Sequence, residues 1–292
     1  MRITDHILRG DDPLILPYEP AVNIDELIVP ELVVLHETAS SLAHGSAAAF
    51  LRRSREVSCH FTIERNGAIR QQAPTNRACD HAGQSSWHGR RGCNAFSVGI
   101  ELVGPGRMTA AGARLARTWW GELLSQDDHH MGAVETPEHG AGVWMAFEAR
   151  QVESLLALVA VLLRDVPTLR DVRGHWYVSP GRKVDPNPLL DIDRLRALVL
   201  GPTDPSEREA EAASVPIEGV LPRLVRTRTP GDTLALRRWP SFNPNVVARI
   251  PDGTVLEVLR MGHFDGRHWL RVPYGGREGW IVAAYTTQAE DA

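Results

Sequence analysis

One polar segment divides this chain into two parts with different residue patterns. Residues 201–219 (GPTDPSEREAEAASVPIEG) are rich in Pro, Glu, Ala and Ser, a composition typical of interdomain linkers that are at most partly helical. Strand and helix signals alternate before this segment, whereas only short strand signals follow it. The sequence therefore predicts two domains, at residues 1–200 and 220–292, joined by a linker at 201–219.

The pattern before the linker predicts an α/β fold. The dipeptide Asn66-Gly67 between two alternating runs is a strong signal for a β-hairpin. Residues 146–163 carry apolar side chains at helical spacing, which predicts a helix packed on a sheet. Further strands are predicted at 32–35 and 96–103, and further helices at 46–54 and 193–200. We therefore expect a mixed β-sheet flanked by helices.

The pattern after the linker predicts a small all-β domain. Short apolar runs recur between turn signals such as Pro251-Asp-Gly and Gly275-Gly. Five short strands in roughly 65 residues are typical of a small barrel.

Composition excludes several classes of protein. The net charge is -4, acidic residues (36) outnumber basic ones (32), and no long basic run occurs, so nucleic acid is not an expected partner. No apolar stretch approaches the length of a membrane-spanning helix, and the first residues show no apolar core of a secretory signal. The three cysteines form no disulfide framework, so we expect reduced thiols and a cytoplasmic protein as synthesised.

One loop concentrates groups that can do chemistry. The segment 173–186 (RGHWYVSPGRKVDP) holds His175, Lys183 and Asp185. His36 lies at the end of a predicted buried strand, where the active-site rim of an α/β sheet is usually found. Two histidines and one carboxylate are the ligand set of a catalytic zinc site with an open position for water. The alternative is that His36 is a hydrogen-bonded core residue.

Two further residues are candidates for a role in amide hydrolysis. Lys183 and Asp185 face the same side of an extended loop, so the ammonium group of Lys183 can face an oxyanion. Glu101 interrupts an apolar strand, where desolvation would raise its pKa toward the range of a general base. The alternatives are a solvated Lys183–Asp185 pair, and a Glu101 neutralised by Arg90 or Arg91.

Five segments together carry a family resemblance. They are Val34-Leu-His-Glu-Thr, Ser58-Cys-His-Phe-Thr-Ile-Glu-Arg-Asn-Gly67, His81-Ala-Gly83, Cys93-Asn-Ala-Phe-Ser-Val-Gly-Ile-Glu-Leu102 and Gly174-His175 through Pro180-Gly-Arg-Lys-Val-Asp-Pro186. In this order they resemble the zinc-dependent N-acetylmuramoyl-L-alanine amidases of the amidase-2 type, which share their fold with peptidoglycan recognition proteins. The resemblance covers about residues 28–195.

The resemblance implies a role for each candidate residue. It implies Zn²⁺ as the cofactor, with His36, His175 and Asp185 as the metal ligands. It also implies Glu101 as general base and Lys183 as the group that stabilises the oxyanion. The reaction it implies is hydrolysis of the amide bond between N-acetylmuramic acid and L-alanine.

Contacts to the substrate are predicted at four further residues. His60 and His81 are expected to line the cleft or to hydrogen-bond a metal ligand. Arg91 and Asn94 precede the strand of Glu101, and Arg91 could hold a carboxylate of the peptide stem. Residues 105–144 form an insertion relative to the compact family, and the sequence gives this insertion no role.

The second domain contains Leu234-Ala-Leu-Arg237, the run 246–259, Trp269-Leu-Arg-Val and Gly279-Trp-Ile-Val. With these segments it resembles bacterial SH3-like domains, which commonly bind wall peptide. With that domain attached, the sequence favours an endolysin-like or prophage lytic amidase that reaches the wall by phage-type release. One alternative is a cytosolic amidase that recycles anhydro-muropeptides, since the segment from Cys93 to Glu101 is especially similar to that branch. The other alternative is a non-catalytic peptidoglycan-binding protein. The predicted partner is peptidoglycan or a muropeptide in every case.

Overall fold

The apolar runs before residue 200 assemble into a five-stranded sheet in the computed structural model of the chain. The structure describes residues 1–200, 205–217, 223–243 and 245–289. The chain divides into two units, one of Met1–Ser86 with Arg91–Gly201 and one of Trp87–Arg90 with Pro202–Ala292. Each unit has its own apolar core.

The first 200 residues contain the parallel strands and four helices. Their strands are β1 (Arg2–Thr4), β2 (Ile7–Arg9), β3 (Leu32–Glu37), β4 (Phe61–Ile63), β5 (Ile69–Gln71), β6 (Ser86–Trp87), β7 (Arg90–Arg91), β8 (Ser97–Leu102), β9 (Thr109–Ala110), β10 (Leu115–Arg117), β11 (Leu123–Ser125), β12 (Met131–Thr136), β13 (Gly140–Met145) and β14 (Asp171–Gly174). Their helices are α1 (Ser46–Arg53), α2 (Ala149–Asp165), α3 (His175–Val178) and α4 (Ile192–Leu200). Each predicted strand and helix of this part is present within a few residues of its expected ends.

The central sheet is mixed, as predicted. Its strand order is β14-β3-β8-β4-β5, with β14, β3, β8 and β4 parallel to their neighbours and β5 antiparallel at the edge. The antiparallel pair is the hairpin that Asn66-Gly67 predicted. Gly67 adopts a φ of 88°, a left-handed conformation that glycine reaches without a steric penalty.

Helix α2 covers one face of this sheet. Alternate residues of the central strands, such as Val33, Leu35 and Ile100, pack with Leu158 and Leu162 of α2 in one buried cluster. The intervening residues of the same strands point to the other face, because side chains alternate along a strand. The apolar face thus fixes which polar residues of β3 and β8 face away from α2.

The insertion at 105–144 is composed of two small antiparallel sheets. One has the order β11-β10-β9, and the other is the hairpin of β12 with β13. A small apolar cluster that includes Met108, Ala116, Leu124 and Met145 holds the insertion together. This segment is therefore folded rather than an extended loop.

The second unit is mainly β-structure. It contains α5 (Pro205–Ala212) and the strands β15 (Val215–Pro216), β16 (Leu224–Thr227), β17 (Thr233–Arg237), β18 (Val246–Pro251), β19 (Val255–Glu257), β20 (Arg260–Phe264), β21 (Arg267–Tyr274), β22 (Arg277–Val282) and β23 (Thr286–Gln288). One sheet has the order β15-β20-β21-β22-β17-β18 and the other β19-β16-β23. The all-β character is as expected, and the SH3-like barrel stays a prediction.

The predicted linker contains parts of the second unit. Helix α5 lies inside 201–219, and β15 pairs with β20 through Val215 with Met261 and Pro216 with Arg260. The second unit therefore begins before the predicted boundary at residue 220, while residues 201–204 and 218–219 lie outside the described part of the chain. Among the helices of the described residues, none has the length and apolar character needed to cross a membrane.

Candidate active site

Three polar side chains lie side by side at the carboxyl end of the parallel strands. His36 in β3 and Glu101 in β8 are register partners, so their side chains leave the sheet on the same face. Gly174, the last residue of β14, pairs with Leu35 of β3, which brings the next residue, His175, beside His36. The edge outside the carboxyl ends of parallel strands is where ligands bind in open α/β sheets.

The loop after α3 brings Asp185 to the same edge. The backbone N–H of Trp176 donates to the carbonyl oxygen of Asp185 at 2.9 Å, which closes the loop. Asp185 Oδ2 lies 3.0 Å from His175 Nδ1 and 3.3 Å from His36 Nδ1. The two Nδ1 atoms are 2.9 Å apart. The three residues predicted to bind a metal therefore meet in a triangle of donor atoms, which we call the ligand triangle.

Hydrogen bonds on the far side of the His175 ring set its tautomer. Nε2 lies 3.0 Å from the carbonyl oxygen of Ala82, which can only accept, so Nε2 carries the proton of the neutral ring. Arg182 Nη2 also lies 3.3 Å from Nε2, but its two hydrogens are directed to the carbonyl of Ala82 and to Ser179 Oγ. His175 Nδ1 is then left with a lone pair that faces Asp185.

A chain of hydrogen bonds sets the tautomer of His36 in the same way. Ser97 Oγ donates to the carbonyl of Cys93 at 2.6 Å, so it accepts from His81 Nε2 at 3.2 Å. His81 Nδ1 is thereby an acceptor, and His36 Nε2 donates to it at 2.9 Å. His36 Nδ1 therefore also presents a lone pair toward Asp185.

The ligand triangle has the properties of a cation site. Burial, and then the neighbouring His175, lower the pKa of His36 to about 4. Burial, and then the neighbouring His36, lower the pKa of His81 well below its ordinary value. When both rings are neutral, two lone pairs and a carboxylate oxygen thus face one another. Among the described residues, no other group of three potential metal ligands comes this close together. Separations of up to 3.3 Å fit zinc, whose bonds to such ligands are about 2.0–2.1 Å long.

Glu101 is the carboxyl group beside the ligand triangle. Its Oε2 is buried and has no hydrogen-bond partner among the described residues. Burial, and then the negative charge of Asp185, raise the pKa of Glu101 to about 8, although the charge of Lys183 acts in the opposite direction. A carboxyl group with a pKa near neutrality and an unused oxygen is suited to accept a proton and return it.

Lys183 lines the same cavity as His36 and Glu101. It is the only lysine in this sequence, since every other residue counted as Lys or Arg is an arginine. Its backbone N–H donates to the carbonyl of Ser179 at 3.1 Å, which holds the loop in place. An ammonium group is a compact point charge with rotatable donors, unlike the planar guanidinium group. The chain therefore has its one ammonium side chain in the cavity of the ligand triangle.

A cavity of about 700 Å³ opens over this edge of the sheet. The ligand triangle, His81, Glu101 and Lys183 line it at the sheet. Helix α1 and the loop before it form another part of the lining, and residues of the insertion, Arg107 and Trp119 among them, form a third. Ligand sites of small molecules typically measure about 300–1,000 Å³, so a sugar–peptide fragment fits the volume.

Glu37 connects the segments around the cavity, a role that the sequence did not indicate. Its carboxylate accepts the backbone N–H of Gly106 at 2.9 Å and the side-chain amide of Asn187 at 3.0 Å. Asn187, close behind Asp185, also donates to the carbonyl of Met145 at 3.1 Å. Glu37 therefore ties both ends of the insertion to the loop that carries Asp185. The only signal in the sequence was an acidic residue directly after His36 in an apolar strand.

Burial of Glu37 affects its protonation. Burial raises the pKa of Glu37 to about 7, although the hydrogen bonds from Gly106 and Asn187 lower it. The residue is only 5% exposed, so both carboxylate oxygens depend on these partners.

The position of His60 differs from the prediction. Its Nε2 donates to the carbonyl of Arg77 at 2.8 Å, and its Nδ1 accepts the backbone N–H of Gly99 at 3.0 Å. The residue is 0% exposed. His60 braces β8 from inside the protein and has no surface with which to contact a substrate, contrary to the expected role.

The other three residues predicted to contact the substrate lie in three different environments. Asn94 accepts the backbone N–H of Ala82 at 2.8 Å and donates to Asp80 at 3.0 Å, so it positions a loop and does not line the main cavity. Arg91 is exposed and lines a second cavity, which shares only Arg182 with the main one. His81 does line the main cavity, and both of its ring nitrogens belong to the chain of hydrogen bonds that orients a ligand.

A comparison with protein families identifies the first unit. A family model described as N-acetylmuramoyl-L-alanine amidase matches residues 27–188, more than half of the chain. This chain belongs to the N-acetylmuramoyl-L-alanine amidase family. The matched segment contains the complete ligand triangle, Glu101 and Lys183.

Curated relatives of this family member are similar over part of their length. A protein described as 1,6-anhydro-N-acetylmuramyl-L-alanine amidase AmpD from Salmonella typhimurium is 32% identical over 144 residues, which are 49% of this chain and 57% of the relative. The N-acetylmuramoyl-L-alanine amidase AmiD of Escherichia coli is 26% identical over 186 residues, 61% of this chain and 56% of the relative. The chain therefore spans less than two thirds of the length of these relatives.

Solved structures include similar chains. The crystal structure of a selenomethionine AmpD derivative aligns with a TM-score of 0.45 and 26% identity, over 68% of this family member and 99% of that chain. A complex of Escherichia coli AmiD with anhydro-N-acetylmuramic acid-L-Ala-D-γ-Glu-L-Lys aligns with a TM-score of 0.44 and 24% identity, over 67% and 68% of the two chains.

Proposed function

We propose that this chain hydrolyses the amide bond between the lactyl group of N-acetylmuramic acid and L-alanine of a peptide stem, with zinc as cofactor. The observation that carries the proposal is the ligand triangle of His36, His175 and Asp185 with Glu101 and Lys183 lining the same cavity. Family membership points to the bond that is cleaved. The side chains around the cavity support a hydrolytic reaction at that bond.

The ligand triangle would hold the zinc ion through His36 Nδ1, His175 Nδ1 and Asp185 Oδ2. When bound, zinc supplies Lewis-acid chemistry, since it lowers the pKa of a water molecule and polarises a carbonyl oxygen. His81 keeps the His36 ring in the tautomer that presents Nδ1, and Ala82 does so for His175.

Glu101 and Lys183 have separate tasks in the proposed reaction. Glu101 takes a proton from the attacking water as its oxygen bonds to the carbonyl carbon. The ammonium group of Lys183 stabilises the negative charge that develops on the carbonyl oxygen. Glu101 then returns the proton to the nitrogen as the carbon–nitrogen bond breaks, so the products are the free lactyl carboxyl group and the amine of L-alanine.

For the substrate, we propose a soluble 1,6-anhydro-muropeptide in place of the intact wall that the sequence favoured. Support comes from the relatives at 32% identity, whose names specify the 1,6-anhydro sugar. Those names describe the relatives, and this chain spans only 57% of their length, so the assignment is a proposal. A cytoplasmic location is proposed on the same ground.

Lysis of the intact wall is the second candidate function. The all-β unit lies outside the segment that the family model matches, and an SH3-like module on the same chain would bind wall peptide. A non-catalytic binding role is less favoured, because the ligand triangle is complete and Glu101 stands beside it.

Parallel digestions distinguish these functions. Zinc-loaded protein is incubated with a purified anhydro-muropeptide and with intact sacculi, and the products are identified by mass spectrometry. We expect the soluble substrate to gain one water and to divide into sugar and peptide, with Glu101→Gln inactive but still zinc-bound. Faster release of peptide from sacculi would favour the wall as substrate. Zinc-loaded wild type that cleaves neither substrate would refute the enzymatic proposal.

A further inference from the structure

An exposed tryptophan of the insertion stands in the wall of the main cavity. Trp119 is 74% exposed, yet its indole N–H donates to the carbonyl oxygen of Ala39 at 2.7 Å. The ring is thus held in one orientation while most of its surface remains accessible. An apolar side chain of this size is rarely left both anchored and uncovered, and in a cavity wall it marks a place for a ligand.

The anchor of Trp119 is itself held firmly. Ala39 has a φ of 45°, a left-handed conformation that is uncommon for a residue with a side chain. On either side of it, Thr38 Oγ1 donates to the carbonyl of Gly104 at 3.2 Å and the Ser40 N–H donates to the same oxygen at 3.1 Å. The surface on which a ligand would pack is therefore formed before the ligand arrives, which reduces the entropy lost on binding.

The lining around Trp119 is rich in hydroxyl groups and apolar surface. Ser40, Ser41 and Ser46 line the same cavity, as does Phe50 of α1, which is 65% exposed. Arg107 also lines this part of the cavity, but its guanidinium group donates to the carbonyl oxygen of Ala141. Aromatic faces with hydroxyl groups beside them suit an uncharged ring that carries hydroxyl, amide or ether groups of its own.

We propose that Trp119 is the platform on which the sugar ring of the substrate packs, and that Ser40, Ser41 and Ser46 bond to its polar groups, which are the free hydroxyl at C4, the acetamido group and the ether oxygens. This inference rests on the proposed function, in which a sugar lies on one side of the cleaved amide and a peptide on the other. The C–H groups on one face of a pyranose pack against the indole. The peptide, which carries carboxylates, is left to the part of the cavity lined by Arg182 and Lys183.

The first test measures binding of a sugar that contains no amide bond. The probe is 1,6-anhydro-N-acetylmuramic acid, titrated into zinc-loaded wild type, Trp119→Ala and Trp120→Ala and followed by calorimetry. Trp120 is the control: it is the next residue, its indole N–H donates to Glu122, and it does not line the cavity, although its ring meets the edge of the Trp119 ring with 5.7 Å between centroids. The bond of Trp119 to Ala39 remains in Trp120→Ala and keeps the Trp119 ring in place. We expect Trp119→Ala to weaken binding about 10-fold, the size of a lost aromatic packing contact, and Trp120→Ala to change it less than about 2-fold. Equal affinities in the three proteins, or no binding by the wild type, would overturn the inference.

The second test separates the sugar platform from a general effect on the active site. The substrates are an anhydro-muropeptide and the same peptide with only a lactyl group on its N-terminus. Trp119→Ala should lower kcat/KM for the first about 10-fold and for the second less than about 2-fold, since only the first contains the ring. An equal loss on both substrates would contradict the assignment. If the sugar binds through Trp119 but no amide is cleaved, the proposed function fails while the sugar site stands.

Discussion

Replacing Glu101 by Gln should change how the stability of the metal-free protein depends on pH. The pKa of Glu101 lies at about 8 in the folded chain, above its ordinary value of 4.5, chiefly because the carboxyl group is buried. The folded protein therefore binds this proton more tightly than the unfolded protein does. The corresponding stability is fully present below pH 4.5 and is lost as the pH rises to about 8. The side chain of Gln has nearly the same shape as that of Glu but does not ionise, so it removes this pH dependence.

The size of the effect follows from the two pKa values. Their separation sets an upper limit of about 5 kcal/mol, at about 1.4 kcal/mol for each pH unit. Glu101 lines the cavity and is only partly buried as a residue, so we expect roughly 2–3 kcal/mol, about half of this limit. Between pH 5 and pH 8, Glu101→Gln should thus gain about 2–3 kcal/mol in unfolding free energy relative to wild type.

Urea denaturation of chelator-treated protein measures this difference. The transition to follow is the one that added zinc shifts, because it reports on the unit that contains the ligand triangle. Glu153→Gln is the control, since Glu153 is exposed on α2 and should give no pH-dependent difference from wild type. If wild type and Glu101→Gln show the same pH dependence, Glu101 does not have the environment described here.

Three other variants test separate parts of the account. His81→Ala should weaken zinc binding about 10- to 100-fold in competition with a chromophoric chelator, because His36 Nε2 loses its acceptor; unchanged affinity would refute the chain of hydrogen bonds. Lys183→Ala should keep zinc and lose turnover by about 100-fold or more, whereas loss of zinc would contradict its role. Amine-selective acetylation, which removes the positive charge, should have the same effect on turnover, since Lys183 is the only lysine. Leu158→Ala should lower the free energy of unfolding by about 3–5 kcal/mol in urea, since Leu158 is 0% exposed; a loss below about 1 kcal/mol would argue against the packing of α2.

The ligand triangle could be predicted from the sequence because each of its three residues lies in a segment with a clear local pattern. His36 ends an apolar run that had to form a buried strand, and His175 and Asp185 lie in a loop rich in Pro and Gly. The carboxyl ends of parallel strands meet at one edge of the sheet, so a histidine at the end of such a strand is expected at that edge. The hairpin at Asn66-Gly67 and helix α2 were likewise set by short-range patterns.

The features that the sequence did not indicate depend on contacts between distant residues. His60 is buried because β8 lies against it at Gly99, 39 residues away. Trp119 owes its orientation to Ala39, 80 residues away, and no periodicity within the insertion indicates that contact. Val215 belongs to the second unit because it pairs with Met261, a partner that the composition of 201–219 does not indicate.

The central claim is that the ligand triangle binds one zinc ion and that this ion is required for cleavage of the muramoyl–alanine amide. The direct measurement adds zinc stepwise to chelator-treated protein and follows bound zinc and amide cleavage in the same samples. We expect cleavage to rise in proportion to bound zinc, to level off at about one ion per chain, and to be absent in Asp185→Asn. Cleavage at full rate without zinc, or no cleavage with the site filled, would contradict the account.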